Sequence, residues 1–478
     1  MSKLFHSKEK APKEKRSPTL ALSVAALAAI CLFIAVGVGP LGADVSIMLF
    51  LSWLVFAPFG AYLGFSFSEL ESAAYDMAKK GLSASTIIMA VGITIGTWMA
   101  SGTVPTVLVL GLELITPHLF LLVTMVLCSC MSLVTGSSWG TMGTAGVAMF
   151  GVGAGLGIDP AITLGAIVSG AYFGDKMSPM SDTTLMASTI TGTPLMTHVR
   201  YMCYTGGPIW ILSGVLYTLI GMMIGGDNYD ATRVEEIIAS LSELFRIGFV
   251  PLIPILVVVV MLLLRKNTIL TMLTGSILAT IVAVIWQGMS LADVLACMND
   301  GFSIETEDAV LSSLLNRGGM EGMLSLLATF IGALGLGGML ANTEIMEPVI
   351  QAMTKIIRSG RSLMVVTMLL TYFCLLFVAT NMFAFAMLGT LLAPLFARYN
   401  LKSQNLSRIL EDCGTLGGVL FPWNVGAIFV MGLFELSPLQ YGPWAFQNYL
   451  TPIVTLLYAL TGFKIAKIDP KKEIAAQE

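Results

Sequence analysis

Long apolar stretches recur along the whole chain and are separated by short polar segments. A helix needs about 20 apolar residues to cross the hydrocarbon core, and the stretches lack the alternation typical of membrane β-strands. The pattern therefore predicts an all-α polytopic membrane protein with 11 to 14 crossings. The apolar runs are 19–38, 45–66, 86–111, 119–134, 135–152, 162–194, 205–225, 248–264, 267–287, 319–341, 362–379, 380–397, 405–437 and 449–465.

Two of these runs, 162–194 and 405–437, are too long for one crossing and are interrupted by polar residues and proline. The first contains SGAYFGDKMSPMSDTT (169–184) and follows a helix that begins with TGSSWGTMGT (135–144). The second contains SRILEDCGTLGGVLFPWNVG (407–426) and follows a helix that begins with TNMFAFAMLGT (380–390). Because the residue before a proline avoids the helical conformation, each run is predicted to contain a break.

The order of features in the two stretches predicts an internal repeat. Thr135 and Thr380 are 245 positions apart, and Pro179 and Pro422 are 243 apart. If each apolar run crosses once, the two copies run in opposite directions through the membrane. Inverted repeats with discontinuous helices are typical of secondary transporters, in which the paired breaks lie near the bilayer midplane and form the binding site. For each copy taken alone, the alternative is that Gly and Pro only kink packed helices and that the break has no function in transport.

Composition agrees with a membrane protein, since 56% of the 478 residues are hydrophobic and 11% are charged, with a mean hydropathy of +0.85. The seven cysteines lack metal-ligand spacing and are predicted to be packing residues. The sequence has no phosphate-binding Gly-Lys-Ser/Thr loop and no nucleophile or cofactor motif. We therefore expect neither an enzyme nor a nucleic-acid-binding protein, and no cofactor. An ion gradient is the expected source of energy.

Positive charge is concentrated on one side of the predicted membrane. If each run crosses once, 21 of the 25 Lys and Arg residues lie on the side of both termini. The positive-inside rule then predicts a multi-pass protein of the bacterial inner membrane with both termini in the cytoplasm. The predicted segments are a basic leader (1–18), scaffold helices (19–111), the first repeat (112–226, broken near 175–182), an acidic external loop (227–247), linking helices (248–361, with an external loop at 288–318), the inverted second repeat (362–466, broken near 421–424) and a cytoplasmic tail (467–478).

The first break contains the strongest candidates for ion binding. Asp175 and Lys176 precede Pro179, and Asp182 follows it. A charge at the centre of the bilayer costs about 3 kcal/mol or more, so such residues are functional by default. The alternatives for Asp175 are a local ion pair with Lys176 or a helix cap, and the alternative for Asp182 is a helix-capping role. Hydroxyl groups complete an oxygen-rich set suited to a hard cation: Ser137, Ser138, Thr141, Thr144, Ser181 and Thr183.

The second repeat is predicted to contribute Thr380, Asn381, Asp412 and Asn424. Arg408 precedes Glu411 and Asp412, and one of these acids is expected to pair with it at the cytoplasmic boundary. Of the three histidines, His198 is a candidate sensor of cytoplasmic pH, and no histidine is expected to be the central proton carrier.

At these residues the chain resembles the NhaC family of sodium/proton antiporters. The resemblance is carried by GSSWGTMGTAGVA (136–148), SGAYFGDKMSPMSDTT (169–184) and LEDCGTLGGVLFPWNVGA (410–427). It implies coupling to sodium or protons, with Asp175 and Asp182 as the expected cation ligands. The second half departs from the family pattern at Cys413, where a serine is common, and in a stretch with fewer prolines, so the identity of the solute stays open.

Two functions are consistent with this reading. The first is exchange of sodium for protons by alternating access, with Asp175 and Asp182 as carboxylate ligands of sodium and Lys176 releasing a proton when sodium binds. The second is a sodium- or proton-coupled transporter or exchanger of an organic acid of the malate or lactate type, or of an amino acid, in which Lys176 and Asn381 receive a carboxylate. The expected partners are a small ion or molecule and the lipid bilayer, and a homodimer is compatible with the sequence.

Overall fold

The computed structural model describes residues 15–227, 231–264, 266–306, 311–312 and 315–468. These residues are predominantly helical, which confirms the all-α prediction. The α-helices are α1 (Leu20–Val38), α2 (Val45–Tyr62), α3 (Phe67–Lys80), α4 (Leu82–Ala100), α5 (Thr103–Leu114), α6 (Pro117–Thr135), α7 (Ser138–Thr141), α8 (Val147–Gly155), α9 (Pro160–Met177), α10 (Asp182–Ile190), α11 (Leu195–Asp227), α12 (Ala231–Leu244), α13 (Ile253–Leu263), α14 (Thr268–Val282), α15 (Leu291–Asp300), α16 (Leu324–Asn342), α17 (Glu347–Thr354), α18 (Gly360–Val378), α19 (Asn381–Arg398), α20 (Ser403–Ile409), α21 (Leu416–Gly418), α22 (Val425–Phe434), α23 (Pro438–Tyr441) and α24 (Phe446–Thr461).

Shorter helical segments of other types join some of these helices. The π-helical segments are Met142–Gly146, Ala283–Gln287 and Leu410–Thr415, and the 3₁₀ segments are Val250–Leu252, Glu321–Met323 and Gly442–Trp444. Because π segments are frequent at functional sites, the two that lie inside the repeats are of particular interest.

Eight helices of the described ranges are long and apolar enough to cross a membrane, or ten if two bent pairs of helices each count as one crossing. The protein is therefore a multi-pass membrane protein. The sequence predicts 11 to 14 crossings, and the difference arises where predicted runs fold as short or broken helices. Two examples are α5 and the apolar segment that ends with α13.

The chain forms two compact units, of which the first consists of Met1–Gly81 and Thr329–Ile356. Within it the indole Nε1 of Trp53 donates a hydrogen bond of 2.9 Å to the carbonyl oxygen of Gly332. Ser66 and Glu69 form a capping box at the start of α3, and Lys15 pairs with Glu69 at 3.1 Å. The rest of the predicted basic leader, residues 1–14, lies outside the described residues.

The second unit consists of Leu82–Ala328 and Ile357–Glu478 and contains both predicted repeats. In the first repeat α6 ends at Gly136, which has φ +67°, and Ser137 then has an extended backbone with φ −147° and ψ 113°. In the second repeat α18 ends at Ala379, with φ +56°, and Thr380 has φ −138° and ψ 132°. The structural counterpart of Thr380 is thus Ser137, and the pairing of Thr135 with Thr380 predicted from the sequence is wrong by two residues.

Both predicted breaks are present. In the first repeat α9 ends at Met177, the chain is extended at Ser178, and α10 begins at Asp182. In the second repeat α21 ends at Gly418 and α22 begins at Val425. The two new helices begin 243 positions apart, the same separation as that between Gly136 and Ala379. The turn and the break of the first copy therefore correspond to those of the second at one constant offset in the sequence.

Two segments predicted to be external loops contain regular structure. The first, 227–247, includes α12 in its described part, whose acidic and apolar residues alternate with helical period. The second, 288–318, includes α15 and ends in an isolated β-bridge between Phe302 and Arg317. Most of the predicted cytoplasmic tail, residues 469–478, lies outside the described residues.

Candidate functional site

The last turn of α9 places two charged side chains inside the protein. This helix starts at Pro160, where the carboxylate of Asp159 accepts a hydrogen bond of 2.7 Å from the amide of Ala161. It ends where the Ser178-Pro179 step prevents another helical turn. Asp175 and Lys176, directly before this break, are both buried. Charged groups at such a position need a specific partner.

The partner of Lys176 comes from the other repeat. Its Nζ donates to Oδ1 of Asp412 in an ion pair whose side chains both have 0% exposure. Asp412 lies in the π-helical segment Leu410–Thr415 that joins α20 to α21. The ion pair therefore connects the break of the first repeat to the helix that leads into the break of the second. A local pair between Lys176 and Asp175, considered from the sequence, is not what the structure contains.

Asp175 is held from a different direction. The hydroxyl of Ser138 donates a hydrogen bond of 2.7 Å to Oδ2 of Asp175. Ser138 is the first residue of α7, and its position is fixed because Oγ of Ser137 accepts a hydrogen bond of 3.1 Å from the amide of Gly140. The helix that starts after Gly136 thus places the hydroxyl group of Ser138 next to the carboxylate of Asp175 at the break.

Glu411 adds a third carboxylate to this region. It is fully buried, and neither of its carboxylate oxygens has a hydrogen-bond partner in the described part of the chain. Lys176, Asp175 and Asp412 are all close enough to interact with it electrostatically. We call Asp175, Lys176, Glu411 and Asp412 the central cluster. It contains three carboxylates and one ammonium group, all buried, and Lys176 and Asp412 form its ion pair.

Sequence reasoning missed the polar face of α24, which lines the cluster. The hydroxyl of Thr455 donates to Oδ2 of Asp412, and Asn448 donates a hydrogen bond of 3.0 Å to the carbonyl of Leu416. Gln447 and Thr451 lie on the same helix and are also buried. Gln447, Thr451 and Thr455 are four residues apart in an otherwise apolar run. This spacing is the signal that could have identified the polar face.

The remaining predicted residues have more local roles. Asp182 is exposed and is the first residue of α10. The N-cap residue of this helix is Ser181, so the helix-capping role considered for Asp182 is wrong. Asp182 still lies within electrostatic range of Asp175. The other contacts are Ser181 Oγ to Thr183 Oγ1 at 3.0 Å, Thr144 Oγ1 to the carbonyl of Gly140 at 2.7 Å, and Gly426 N to Asn424 Oδ1 at 3.1 Å.

Three further predicted residues lie at or near a helix start. Thr380 is the N-cap residue of α19 and Asn381 its first residue, and both are half-buried. Thr141 is buried, and its hydroxyl has no hydrogen-bond partner within the described ranges. Of the predicted residues, the structure joins Lys176 to Asp412 by an ion pair and Asp175 to Ser138 by a hydrogen bond. Thr141 remains available as an oxygen ligand.

Arg408 does not pair with either acid that follows it, contrary to the prediction. Its Nη1 donates a hydrogen bond of 3.2 Å to the carbonyl of Lys464, while Asp412 is bonded to Lys176 and Thr455. His198 is buried and lies within electrostatic range of Lys176 and Asp412, so it is nearer to the cluster than the sequence suggested.

An aromatic pair joins the two repeats next to Ser138. The rings of Trp139 and Phe429 stack with centroids 4.5 Å apart and an interplanar angle of 10°. Further along the chain from Phe429, the residues from Met431 to Glu435 line a cavity of about 280 Å³ that Arg317 also borders.

Asp175 and Ser138 are candidate ligands of a hard cation. The residues that the structure describes contain no group of three or more His, Cys, Asp and Glu side chains arranged to hold a metal ion. Carboxylate and hydroxyl oxygens are the ligands that hard cations prefer. Asp175 and Ser138 supply one of each within hydrogen-bonding distance.

Comparison with known proteins gives consistent matches. Residues 170–463 match the model of the Na⁺/H⁺ antiporter family. The chain is 36% identical over 450 residues to the malate-2H⁺/Na⁺-lactate antiporter of Bacillus subtilis (strain 168), covering 94% of this chain and 96% of that protein. It is 35% identical over 417 residues to the Na⁺/H⁺ antiporter NhaC of Alkalihalophilus pseudofirmus, covering 87% and 89%. Among solved structures, Neisseria gonorrhoeae MtrF matches with a TM-score of 0.39 and 11% identity over 86% of this chain and 94% of that one.

Proposed function

The chain belongs to the Na⁺/H⁺ antiporter family, and from this premise we propose that it exchanges sodium for protons at the central cluster. The observation that carries the proposal is the buried ion pair between Lys176 and Asp412, which joins the two broken segments, with Asp175 and Glu411 beside it. Buried ionisable groups at paired helix breaks are the expected arrangement of a secondary transporter.

Charge balance explains why such a cluster would exchange cations. With every group ionised, three carboxylates and one ammonium group leave two negative charges in a medium of low polarity, which is costly. Two bound cations, either protons or sodium ions, neutralise them. If only the neutralised cluster passes between the inward and outward states, sodium entering from one side must displace protons that leave on the other.

Asp175 is the proposed sodium ligand. Ser138 already donates to its carboxylate, and the hydroxyl oxygens of Ser138 and Thr141 can face a cation once their protons point away. Asp182 lies within electrostatic range and would add negative charge at the approach to this site. Sodium and a proton then compete for one carboxylate.

Lys176 is the proposed internal cation. In the structure it neutralises Asp412, and a sodium ion that arrives at Asp412 would replace it. A displaced, buried ammonium group favours loss of its proton. Lys176 would thus contribute one of the released protons, and Thr455 would hold Asp412 in place during the exchange.

A second candidate is coupled transport of an organic acid. It is favoured by the similarity over nearly the whole chain to a protein named as a malate-2H⁺/Na⁺-lactate antiporter. Asn424, near the second break, also has a buried amide nitrogen, Nδ2, without a hydrogen-bond partner in the described residues. In this case sodium and protons would be the coupling ions rather than the only cargo.

We propose the bacterial cytoplasmic membrane as the location, with both termini in the cytoplasm. The predicted excess of Lys and Arg on that side supports this orientation. No step of the exchange requires a cofactor, and a homodimer stays a prediction.

Transport in proteoliposomes tests the proposal. An imposed sodium gradient should acidify or alkalinise the lumen according to its direction, as reported by a trapped pH dye, without any organic solute. Asp175→Asn should remove the response, whereas Asp159→Asn, a change at the start of the same helix, should retain it. If protons move only when malate or lactate is added, the second candidate replaces the first.

A further inference from the structure

We propose that Arg408 is the receptor for the carboxylate group of a small organic anion, which binds between the central cluster and the segment that follows α24. The inference goes beyond sodium–proton exchange because it assigns an anion site to a residue outside the central cluster. It rests on three features of the described structure: the unused edge of a buried guanidinium group, its aromatic surroundings and the chain segment that covers it.

Arg408 lies in α20, one helical turn before Asp412, and is completely buried. Its guanidinium group lies over the ring of Tyr201, with 4.5 Å between the guanidinium carbon and the ring centroid. The ring of Tyr458 is 5.8 Å away. Two aromatic rings therefore hold the plane of the guanidinium group, which reduces the loss of side-chain freedom when a ligand binds.

Only one of the guanidinium nitrogens has a hydrogen-bond acceptor among the described residues. Nη1 donates to the carbonyl of Lys464, whereas Nε and Nη2 have no partner there. These two nitrogens form one edge of the planar group, and their parallel N–H bonds match the two oxygens of a carboxylate. Leaving two donors of a buried cation unsatisfied is costly, so an anion at this edge would be bound strongly.

No acid among the described residues fills this edge. Asp412 accepts hydrogen bonds from Lys176 and Thr455. Glu411 belongs to the central cluster, and its oxygens make no hydrogen bond within the described ranges. The edge of Arg408 is therefore matched to a carboxylate that none of the described residues supplies, and its positive charge disfavours sodium.

His198 extends the site towards the central cluster. It lies one turn before Tyr201 on α11, so both side chains are on the same face of that helix. His198 is buried, and both of its ring nitrogens are without hydrogen-bond partners in the described structure. An anion held by Arg408 would find a second hydrogen-bonding group in this imidazole.

Residues 462–468, which we call the C-terminal strap, cover Arg408. The amide of Ala466 donates a hydrogen bond of 2.8 Å to the hydroxyl oxygen of Tyr201, and its carbonyl accepts one of 2.7 Å from Asn405. The amide of Ile468 donates a hydrogen bond of 2.9 Å to the carbonyl of Asn400. These bonds hold the strap next to Arg408, and their opening is the route by which we expect an anion to reach it.

Calorimetric titration of the purified protein in detergent micelles tests the inference. The probes are lactate and lactamide, which have similar shapes but differ in charge. Lactate should bind saturably and lactamide should not. Arg408→Lys keeps the charge but loses the two-nitrogen edge, and it should weaken lactate binding about tenfold or more, which corresponds to about 1.4 kcal/mol. Arg398→Lys, at an exposed arginine of α19, should bind lactate like the wild type.

A second measurement needs no variant. Lactate, but not lactamide, should protect Arg408 of the wild type from phenylglyoxal, as mass spectrometry of the peptides would show, while the exposed Arg398 reacts equally in both cases. Absence of saturable lactate binding to the wild type, or equal affinity in Arg408→Lys, would overturn the inference. So would lactate binding to a protein in which Arg408 reacts with phenylglyoxal to the same extent with and without lactate.

Failure of this inference can be told from failure of the proposed exchange. Sodium-driven proton movement without lactate tests the exchange alone. A wild type that exchanges sodium for protons but binds no lactate refutes only the role of Arg408. Lactate binding that depends on Arg408 in a protein without such exchange supports the inference and refutes the exchange.

Discussion

Lys176 and Asp412 form a buried ion pair although 236 positions separate them in the chain. Lys176 ends the half-helix of the first repeat, and Asp412 lies in the π-helical segment of the second. Neither residue is the structural counterpart of the other, because equivalent positions of the turns and breaks are 243 apart. The pair is thus a cross-repeat contact in which one copy supplies the cation and the other the carboxylate.

Breaking this ion pair should destabilise the protein more than removing both charges. Asp412→Leu or Lys176→Met alone leaves one buried charge without its partner, and each should cost about 3–5 kcal/mol of unfolding free energy. The double variant should cost clearly less than the sum. Thermal unfolding in detergent micelles, followed by tryptophan fluorescence, compares the stabilities of the two single variants and the double variant. Additive losses would show that the two residues do not form a pair in the folded protein.

Asp175→Asn should abolish exchange while the protein stays folded. The amide oxygen of asparagine can still accept the hydrogen bond from Ser138, so the local packing survives. The neutral side chain, however, can neither carry a proton nor neutralise sodium. Sodium-driven proton movement in proteoliposomes checks the activity, and size-exclusion chromatography checks the fold. The matched variant Ser138→Ala should keep exchange with weaker sodium affinity. Full activity of Asp175→Asn would remove this residue from the mechanism.

Glu411→Gln should leave the protein as stable as the wild type or make it more stable. An ionised carboxylate without hydrogen-bond partners is costly to bury, and the amide is close to it in size. The number of protons released per protein at saturating sodium should fall by about one in this variant, because one titratable group of the cluster is lost and one negative charge fewer has to be neutralised. Measurement of proton release per protein at saturating sodium tests this. An unchanged number would place Glu411 outside the exchange.

The two repeats provide a matched test of their common turn. Gly136 has φ +67°, and a methyl group there would lie 3.0 Å from the carbonyl carbon of Met180 at the break. Gly136→Ala should therefore destabilise the protein, by about 1–2 kcal/mol from the backbone alone. Ala379→Gly removes a methyl group at φ +56° in the other copy and should be neutral or stabilising. Loss of stability of similar size in both variants would contradict the shared geometry of the turns.

The positions of the breaks could be predicted from the sequence because they depend on local chemistry. Pro179 and Pro422 cannot continue a helix in the usual way, and both lie in polar interruptions of apolar runs. The same locality made Asp175, Lys176 and Asp412 candidates, since charged residues in apolar runs are conspicuous, and the structure shows that all three are buried. The all-helical fold follows from the same pattern.

Partners of the charged residues could not be predicted in this way. Asp175 beside Lys176, and Arg408 beside Glu411 and Asp412, suggested local pairs. In the structure Asp175 is instead bonded to Ser138, Lys176 to Asp412, and Arg408 to the carbonyl of Lys464. The polar face of α24 was missed because Gln447 and Thr455 are uncharged and widely spaced. Which of several polar side chains faces the cluster depends on the rotation of each helix, and that rotation is set by packing rather than by local sequence.

Proton release on addition of sodium tests the central claim most directly, because it requires no gradient and no second solute. A pH indicator in weakly buffered detergent solution reports the protons released when sodium chloride is added to the purified protein, with choline chloride as the ionic-strength control. We predict saturable proton release by the wild type with sodium only, and its loss in Asp175→Asn. Sodium binding without proton release, or equal release in Asp175→Asn, would contradict competition between sodium and protons at this cluster.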